Sequence, residues 1–148
     1  MLASGGRVFH MSKDHIVDAE AERRILHRGG DVQTFTISGI SARRVCMKGS
    51  QFPGLAMSRA LGDSVAQSLG VSSEPEVHVG IPFSHGSALV VASDGVWERM
   101  DAQEVARRVR GAQDPQAAAE SLVEAARAQW PQEGNIDDIT AVVLTATP

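Results

Sequence analysis

The chain has 148 residues, 43% of them hydrophobic and 22% charged, a composition typical of one globular domain with a packed core. Its formal net charge of −4 argues against nucleic acid as the main partner, because binding to a phosphate backbone requires clustered positive charge. No apolar stretch has the length of a membrane span, and the first residues lack the pattern of a secretory signal. The single cysteine, Cys46, cannot form an internal disulfide, which predicts an intracellular protein, cytoplasmic or nuclear, with Cys46 packed in the core.

The first half of the chain alternates between strand and helix signals. Residues 7–11 alternate in polarity after a Gly-Gly turn, which predicts a strand leaving a hairpin. Asp18 is predicted to cap a helix, and residues 32–37 to form a half-buried strand. Residues 38–53 are weakly patterned and are expected to form an irregular excursion with at most a short strand near Val45. The paired arginines scattered through the chain are interpreted as parts of solvated faces.

The second half predicts two strands around two helices. Ala88 to Ala92 is a continuous apolar run, as in a strand covered on both faces. Asp101 and the pair Asp114-Pro115 each open a helix. Residues 139–146 are predicted to form a last buried strand. Paired strands with two consecutive helices favour an α+β fold with antiparallel sheets and helices packed outside.

Acidic residues stand at the ends of the two apolar strands. Asp94 directly follows the first strand, and Asp137 and Asp138 directly precede the last. A carboxylate beside a buried strand is costly unless it is paired or binds a metal, although Asp94 alone could also be a turn or helix cap. If the two strands are antiparallel neighbours, Asp94 and Asp137 converge, and such hard oxygen ligands suit Mg²⁺ or Mn²⁺. The histidines show no zinc-ligand spacing.

Several segments of the chain carry specific motifs. They are Ser12-Lys13-Asp14-His15 after the Gly5-Gly6 hairpin, the helix from Glu20 to Gly30, Leu55 to Asp63 with Glu74-Pro75-Glu76-Val77, Ala92 to Glu98, and Asp137-Asp138-Ile139-Thr140. In this order they resemble the motifs of PP2C-type (PPM family) metal-dependent protein serine/threonine phosphatases. The similarity covers almost the whole chain, and the run from Leu55 to Asp63 matches nearly residue for residue.

This resemblance implies an α-β-β-α sandwich of antiparallel sheets and the hydrolysis of phosphoserine and phosphothreonine in phosphoprotein substrates. The family uses two Mg²⁺ or Mn²⁺ ions that activate water. Asp94 and Asp137 fall on its late metal ligands, whereas Asp138 stands where many members have asparagine, a change expected to alter a hydrogen bond rather than ligation. Arg59 and Asp63 are interpreted as organisers of a turn, and the pair Asp14-His15 as a hydrogen-bonding corner.

The family's early acidic pair, its "E-D" segment and its "D-G-H-G" motif have no match here. The resemblance implies that these supply the other metal ligands, the phosphate-binding arginine and the general acid, so the catalytic residues lie outside this chain. Residues 1–148 are therefore expected to be the C-terminal part of a single phosphatase domain, inactive alone. The alternative is a pseudophosphatase or interaction module that retains part of the fold.

Overall fold

A computed structural model describes residues 1–37, 40–131, 134 and 136–147. The chain forms two compact units, which we call unit 1 (Met1–Ser12 and Gly80–Pro148) and unit 2 (Lys13–Val79). The strands are β1 (Leu2–Ser4), β2 (Arg7–His10), β3 (Gly30–Ile37), β4 (Ile40–Met47), β5 (Pro53–Leu55), β6 (Ser87–Ala92) and β7 (Ala141–Thr145). The helices are α1 (Ala19–His27), α2 (Ser64–Ser68), α3 (Asp94–Trp97), α4 (Ala102–Gly111) and α5 (Pro115–Gln129).

Unit 1 is a four-stranded antiparallel sheet in the order β2-β1-β6-β7, with helices packed on one face. The side chains between sheet and helices form its core, with Val90 from β6, Val105 from α4 and Leu122 from α5 fully buried. Each of the two long helices begins at the predicted aspartate: Asp101 accepts from the N–H groups of Gln103 and Glu104, and Asp114 accepts from that of Ala117.

The other face of this sheet is open, which corrects the predictions that residues 88–92 form a strand covered on both faces and that residues 139–146 form a buried strand. Val91 is 57% exposed, its cross-strand partner Val142 is 51% exposed, and Leu144 on the same face is 47% exposed. Within β7 only Val143 is buried, and the strand is shorter than the predicted residues 139–146. In β6 and β7, continuous apolar sequence therefore accompanies one buried face and one exposed apolar face.

Unit 2 combines the antiparallel sheet β3-β4-β5 with α1 and α2 around a small core. Asp18 caps α1 as predicted by accepting from the N–H of Ala21 at 2.8 Å, and Ile25 on the inner face of α1 is fully buried. Gly30 and Gly70 approach Ile25 so closely that a Cβ on either would lie 3.0 Å or less from an Ile25 atom. The core of unit 2 therefore depends on Ile25.

The prediction of an irregular excursion over residues 38–53 is wrong for β4, whose eight residues all pair with β3. Ser38 and Gly39, which belong to that prediction, lie outside the described residues. Val45 and Cys46 are consecutive and both fully buried, so β4 lacks the alternation that marks a strand with one covered face. Burial also raises the pKa of the Cys46 thiol, which accords with the core position predicted for it.

Candidate metal centre

The strands β6 and β7 that precede and follow the acidic motifs are adjacent and antiparallel, as predicted. Their register pairs Val90 with Val143, Val91 with Val142 and, at the end of the ladder, Ala92 with Ala141. The segment that leaves β6 and the segment that enters β7 therefore meet at the same edge of the sheet.

Ser93 extends this pairing by one residue beyond the strands. Its N–H donates to the carbonyl of Thr140 at 3.0 Å, and its Oγ accepts from the N–H of Thr140 at 3.0 Å. The same Oγ donates to the carbonyl of Asp138 at 2.8 Å. One serine hydroxyl thus fixes the backbone of Asp138 and Thr140 beside the residue that precedes Asp94.

Gly95 brings the two acidic segments into direct backbone contact. A Cβ at this position would overlap the carbonyl oxygen of Asp138, and its distance to the Asp138 carbonyl carbon would be 3.1 Å. A residue with a side chain would push the Asp94 turn away from the Asp137-Asp138 segment. The glycine of the acidic motif is required here for close approach.

The aspartate side chains at this junction, those of Asp94, Asp137 and Asp138, are all exposed. An Asp94 carboxylate oxygen accepts from the N–H of Gly95 at 3.1 Å, and one of Asp137 accepts from the N–H of Asp138 at 2.8 Å. These short-range bonds leave carboxylate lone pairs for a cation. The structure places the two predicted ligand segments side by side, and ligation by Asp94 and Asp137 stays a prediction.

The donor chemistry fits Mg²⁺ or Mn²⁺, which prefer carboxylate and water oxygens. Over residues 1–37, 40–131, 134 and 136–147, no group of three or more His, Cys, Asp or Glu side chains has the geometry to hold a metal ion. The aspartates of this junction are thus candidate ligands, and the supply of further ligands from outside the chain stays a prediction.

Both tryptophans of the chain bond to the turn that carries Asp94. Trp97 donates its indole N–H to the carbonyl of Ala92 at 3.0 Å, and Trp130 donates to the carbonyl of Gly95 at 2.8 Å. The Arg99 guanidinium lies 3.8 Å from the centroid of the Trp130 ring. Sequence reasoning missed Trp130 because it lies 35 residues from Gly95. A large aromatic residue directly after an amphipathic helix was the available signal, and the structure shows this side chain to be 7% exposed.

Two motif residues of unit 2, Arg59 and Asp63, have the structural roles that were favoured for them. Arg59 donates to the carbonyl of Glu74 at 2.9 Å, and Asp63 caps α2 by accepting from the N–H of Ala66 at 3.1 Å. The backbone carbonyl of His15 accepts from both the N–H and the Oγ of Ser58, at 2.6 and 3.0 Å. His15 thus takes part in a hydrogen-bonded corner through its backbone, and the role predicted for Asp14 stays a prediction.

The described residues thus form an α+β chain with antiparallel sheets and an acidic junction where two adjacent strands meet. The sequence model described as Protein phosphatase 2C matches residues 1–133. The chain belongs to the PP2C family, whose members are protein phosphatases.

Similar proteins agree with this assignment. The chain is 38% identical to Probable protein phosphatase 2C 41 of Oryza sativa subsp. japonica, over 97% of this chain and 45% of that protein. It is 39% identical to Probable protein phosphatase 2C 61 of Arabidopsis thaliana, over 87% of this chain and 40% of that protein. The crystal structure of serine-threonine phosphatase 2C from Toxoplasma gondii matches with a TM-score of 0.68 and 26% identity, over 90% of this chain and 45% of that one.

The chain thus spans less than half the length of these relatives. The partial extent fits its interpretation as the C-terminal part of the family's catalytic domain. No helix in the described part of the chain is long and apolar enough to cross a membrane.

Proposed function

We propose that the chain contributes the late metal-binding carboxylates, Asp94 and Asp137, to a protein serine/threonine phosphatase. The observation that carries this proposal is the β6–β7 junction, where Ser93 and Gly95 hold the Asp94 turn against the Asp138 backbone. A phosphoprotein is the proposed substrate, and an intracellular location accords with a lone cysteine that is buried.

When bound, Mg²⁺ or Mn²⁺ ions supply an activated water and neutralise charge on the phosphoryl group. The part played by this chain is to present the exposed carboxylates of Asp94 and Asp137 from fixed backbone positions. Pre-organised ligands of this kind lose little conformational entropy when a cation binds. Asp138, next to these ligands, adds negative charge that favours a divalent cation.

The chain alone is expected to turn over no substrate, because a pair of carboxylates holds Mg²⁺ or Mn²⁺ weakly when the ion keeps most of its water. The first test is an aryl-phosphate assay with Mn²⁺ on the chain and its Asp94→Ala variant, with no turnover expected from either. Turnover that Asp94→Ala abolishes would show that this chain builds a working site, and would contradict the proposed division of ligands.

The second test uses a chimera in which the chain replaces the matching segment of the Toxoplasma phosphatase. We expect Mn²⁺-dependent hydrolysis of a phosphothreonine peptide. Asp94→Asn or Asp137→Asn should each reduce it at least about a hundredfold, the upper end of what even the loss of an outer-shell partner costs. Glu120→Gln, which changes an exposed carboxylate on α5, is the matched control and should leave the rate unchanged.

The same chimera distinguishes the alternative of an interaction module. A folded chimera that binds phosphopeptide but has no activity, with or without Asp94, would support it. Activity that depends on both aspartates would exclude it.

A further inference from the structure

Hydrogen bonds of three side chains, two local and one distant, tie the turn that carries Asp94 to three other elements of unit 1. Ser93 connects it to the start of β7, Trp97 connects it to the end of β6, and Trp130 connects it to the end of α5. The two indoles donate to the carbonyls of Ala92 and Gly95, which lie on either side of Asp94. One peptide group on each side of this aspartate is thus fixed, each of them one peptide group removed from Asp94 itself.

Of the two indole hydrogen bonds, the one from Trp130 is buried and the one from Trp97 is partly buried. The hydrogen bond from Trp130 to Gly95 is short, at 2.8 Å, so loss of the donor would leave a buried carbonyl without this partner. The ring is covered by Arg99, whose guanidinium lies 3.8 Å from the ring centroid and whose N–H donates to the carbonyl of Val96. Arg99 therefore holds the indole against α3, the short helix that Asp94 opens.

We propose that Trp130, supported by Trp97 and Arg99, is a positioning residue that orients Asp94 toward the Asp137 segment for cation binding. This inference rests on the proposed function, because it assumes that Asp94 is a metal ligand. Neither indole touches the reacting atoms, and each acts through the backbone. Neighbouring residues can fix the position of Gly95 only through its backbone, because glycine has no side chain.

The sequence supplies its own reporter for this proposal. The chain has two tryptophans and no tyrosine, so all indole emission comes from Trp97 and Trp130. Paramagnetic Mn²⁺ quenches a nearby indole, whereas diamagnetic Mg²⁺ does not. Saturable quenching by Mn²⁺ that Mg²⁺ reverses by competition therefore measures cation binding at the Asp94 turn, without any assay of activity.

The experiment titrates Mn²⁺ into the wild-type chain and into Trp130→Phe, in which Trp97 remains as the reporter. Phenylalanine keeps an aromatic ring beside Arg99 but removes the N–H donor. We expect the Mn²⁺ midpoint of Trp130→Phe to rise about tenfold, as for other outer-shell partners of metal ligands. Trp97→Phe, read through Trp130, should raise the midpoint in the same direction and serves as the second variant.

Val109→Ala is the control for a merely structural effect, because Val109 is buried on α4 in the same core but does not bond to the turn. It should lower the thermal midpoint of unfolding while leaving the Mn²⁺ midpoint unchanged. Amide-hydrogen exchange at Gly95 and Val96 should accelerate in Trp130→Phe and not in Val109→Ala. An unchanged Mn²⁺ midpoint in both tryptophan variants would overturn the positioning role alone.

Asp94→Asn separates this inference from the proposed function. Saturable quenching in the wild type that Asp94→Asn removes supports Asp94 as a ligand, whatever the tryptophan variants show. Saturable quenching that Asp94→Asn leaves unchanged would overturn both the ligand assignment and the positioning role. Because the chain alone is expected to hold the ion weakly, the amide exchange of Gly95 and Val96 decides the positioning role if quenching does not saturate.

Discussion

Unit 1 and unit 2 are stabilised by different side chains. Among the described residues of unit 1, thirteen buried side chains form one cluster, and indole N–H groups of Trp97 and Trp130 bond to the backbone around the Asp94 turn. In unit 2, the buried cluster has six residues, and loops are tied by arginines that donate to backbone carbonyls. The arginine contacts are Arg24 to Gly70 and Ser58, Arg43 to Val17, Arg44 to Gly54, and Arg59 to Glu74.

The difference shows how a unit with a small core can hold long loops. Buried carbonyls of irregular segments need partners, and one guanidinium has five donors in a rigid fork. The interpretation of the paired arginines as solvated is therefore wrong for Arg24, Arg43 and Arg44, which are half-buried and bonded to backbone. Unit 2 is predicted to be sensitive to arginine replacement, and unit 1 to changes at tryptophan and glycine.

The largest effect is expected from Ile25→Ala, because Ile25 is a fully buried side chain in a cluster of six. A large-to-small change at such a site costs roughly 2–5 kcal/mol. Denaturant unfolding measures the loss, and amide exchange should accelerate in α1 and β4. Leu122→Ala is the counterpart in unit 1 and should accelerate exchange in α4 and α5. A smaller loss of unfolding free energy for Ile25→Ala than for Leu122→Ala would contradict the greater sensitivity expected of the smaller core of unit 2.

Arg24→Met tests the role of arginine in unit 2. It keeps an apolar stem but removes the donors to the carbonyls of Gly70 and Ser58, so we expect a loss of about 1.5–3 kcal/mol. The neighbouring Arg23→Met is the matched control: Arg23 is exposed and donates only to Ala19 within its own helix, at 3.3 Å. It should change stability by about 0.5 kcal/mol or less. Equal effects of the two replacements would refute this account of unit 2.

Gly95→Ala tests the close approach in unit 1. Since the added Cβ would overlap the Asp138 carbonyl oxygen, the turn must shift, at a cost of roughly 1–3 kcal/mol. The Mn²⁺ midpoint measured by quenching should rise as well. Gly86→Ala is the contrast, since a Cβ there meets no atom within 4 Å, and only its φ of +79° is unfavourable. It should leave the Mn²⁺ midpoint unchanged.

The open face of the unit 1 sheet predicts self-association of the chain, with a broad thermal transition. Exposed apolar faces and unpaired edge strands promote association. The double replacement Val91→Thr with Val142→Thr keeps β-branched residues on this face and reduces its apolar surface. It should raise the concentration at which the chain stays monomeric in sedimentation experiments. A wild-type chain that is monomeric and unfolds in one sharp transition would contradict this prediction.

The smallest effect concerns pH and unit 2. The N–H of Ala21 donates to Asp18 and holds the pKa of that carboxyl below its usual value. A lowered pKa in the folded state means that Asp18 stabilises α1 at neutral pH. This contribution declines as pH falls below the usual aspartate pKa, and it is lost below the folded pKa. Asp18→Asn keeps the cap but cannot titrate, so comparing the two acid-unfolding profiles isolates the slope due to Asp18.

The sequence was sufficient for the elements with local signals. Asp18, Asp101 and Asp114 each cap a helix where predicted, because capping is decided by a few neighbouring residues. The order of β6 and β7 also followed from their apolar runs and the resemblance. The strand β4 could not be predicted in the same way, since Val45 and Cys46 are both buried and remove the alternation.

The site was predictable only in part, for a related reason. Asp94 and Asp137 each stand beside an apolar run, so local sequence identifies them as candidates. The contacts that hold them are long-range: Ser93 bonds to residues 45 and 47 positions away, and Trp130 to one 35 positions away. No local pattern encodes such pairings. Whether the second face of the unit 1 sheet is covered likewise depends on which distant segments pack against it, and the strand sequences alone do not show this.

Ser58 shows a different consequence of the loop contacts in unit 2. Its N–H and Oγ both donate to the carbonyl of His15, and its own carbonyl accepts from Arg24 and from the N–H of Ser72. The residue is 5% exposed. Its N–H, carbonyl and hydroxyl groups all form hydrogen bonds, and a larger side chain would have no room. In a saturation-mutagenesis screen this position should tolerate almost no substitution, whereas Met57 beside it, 48% exposed, should accept many.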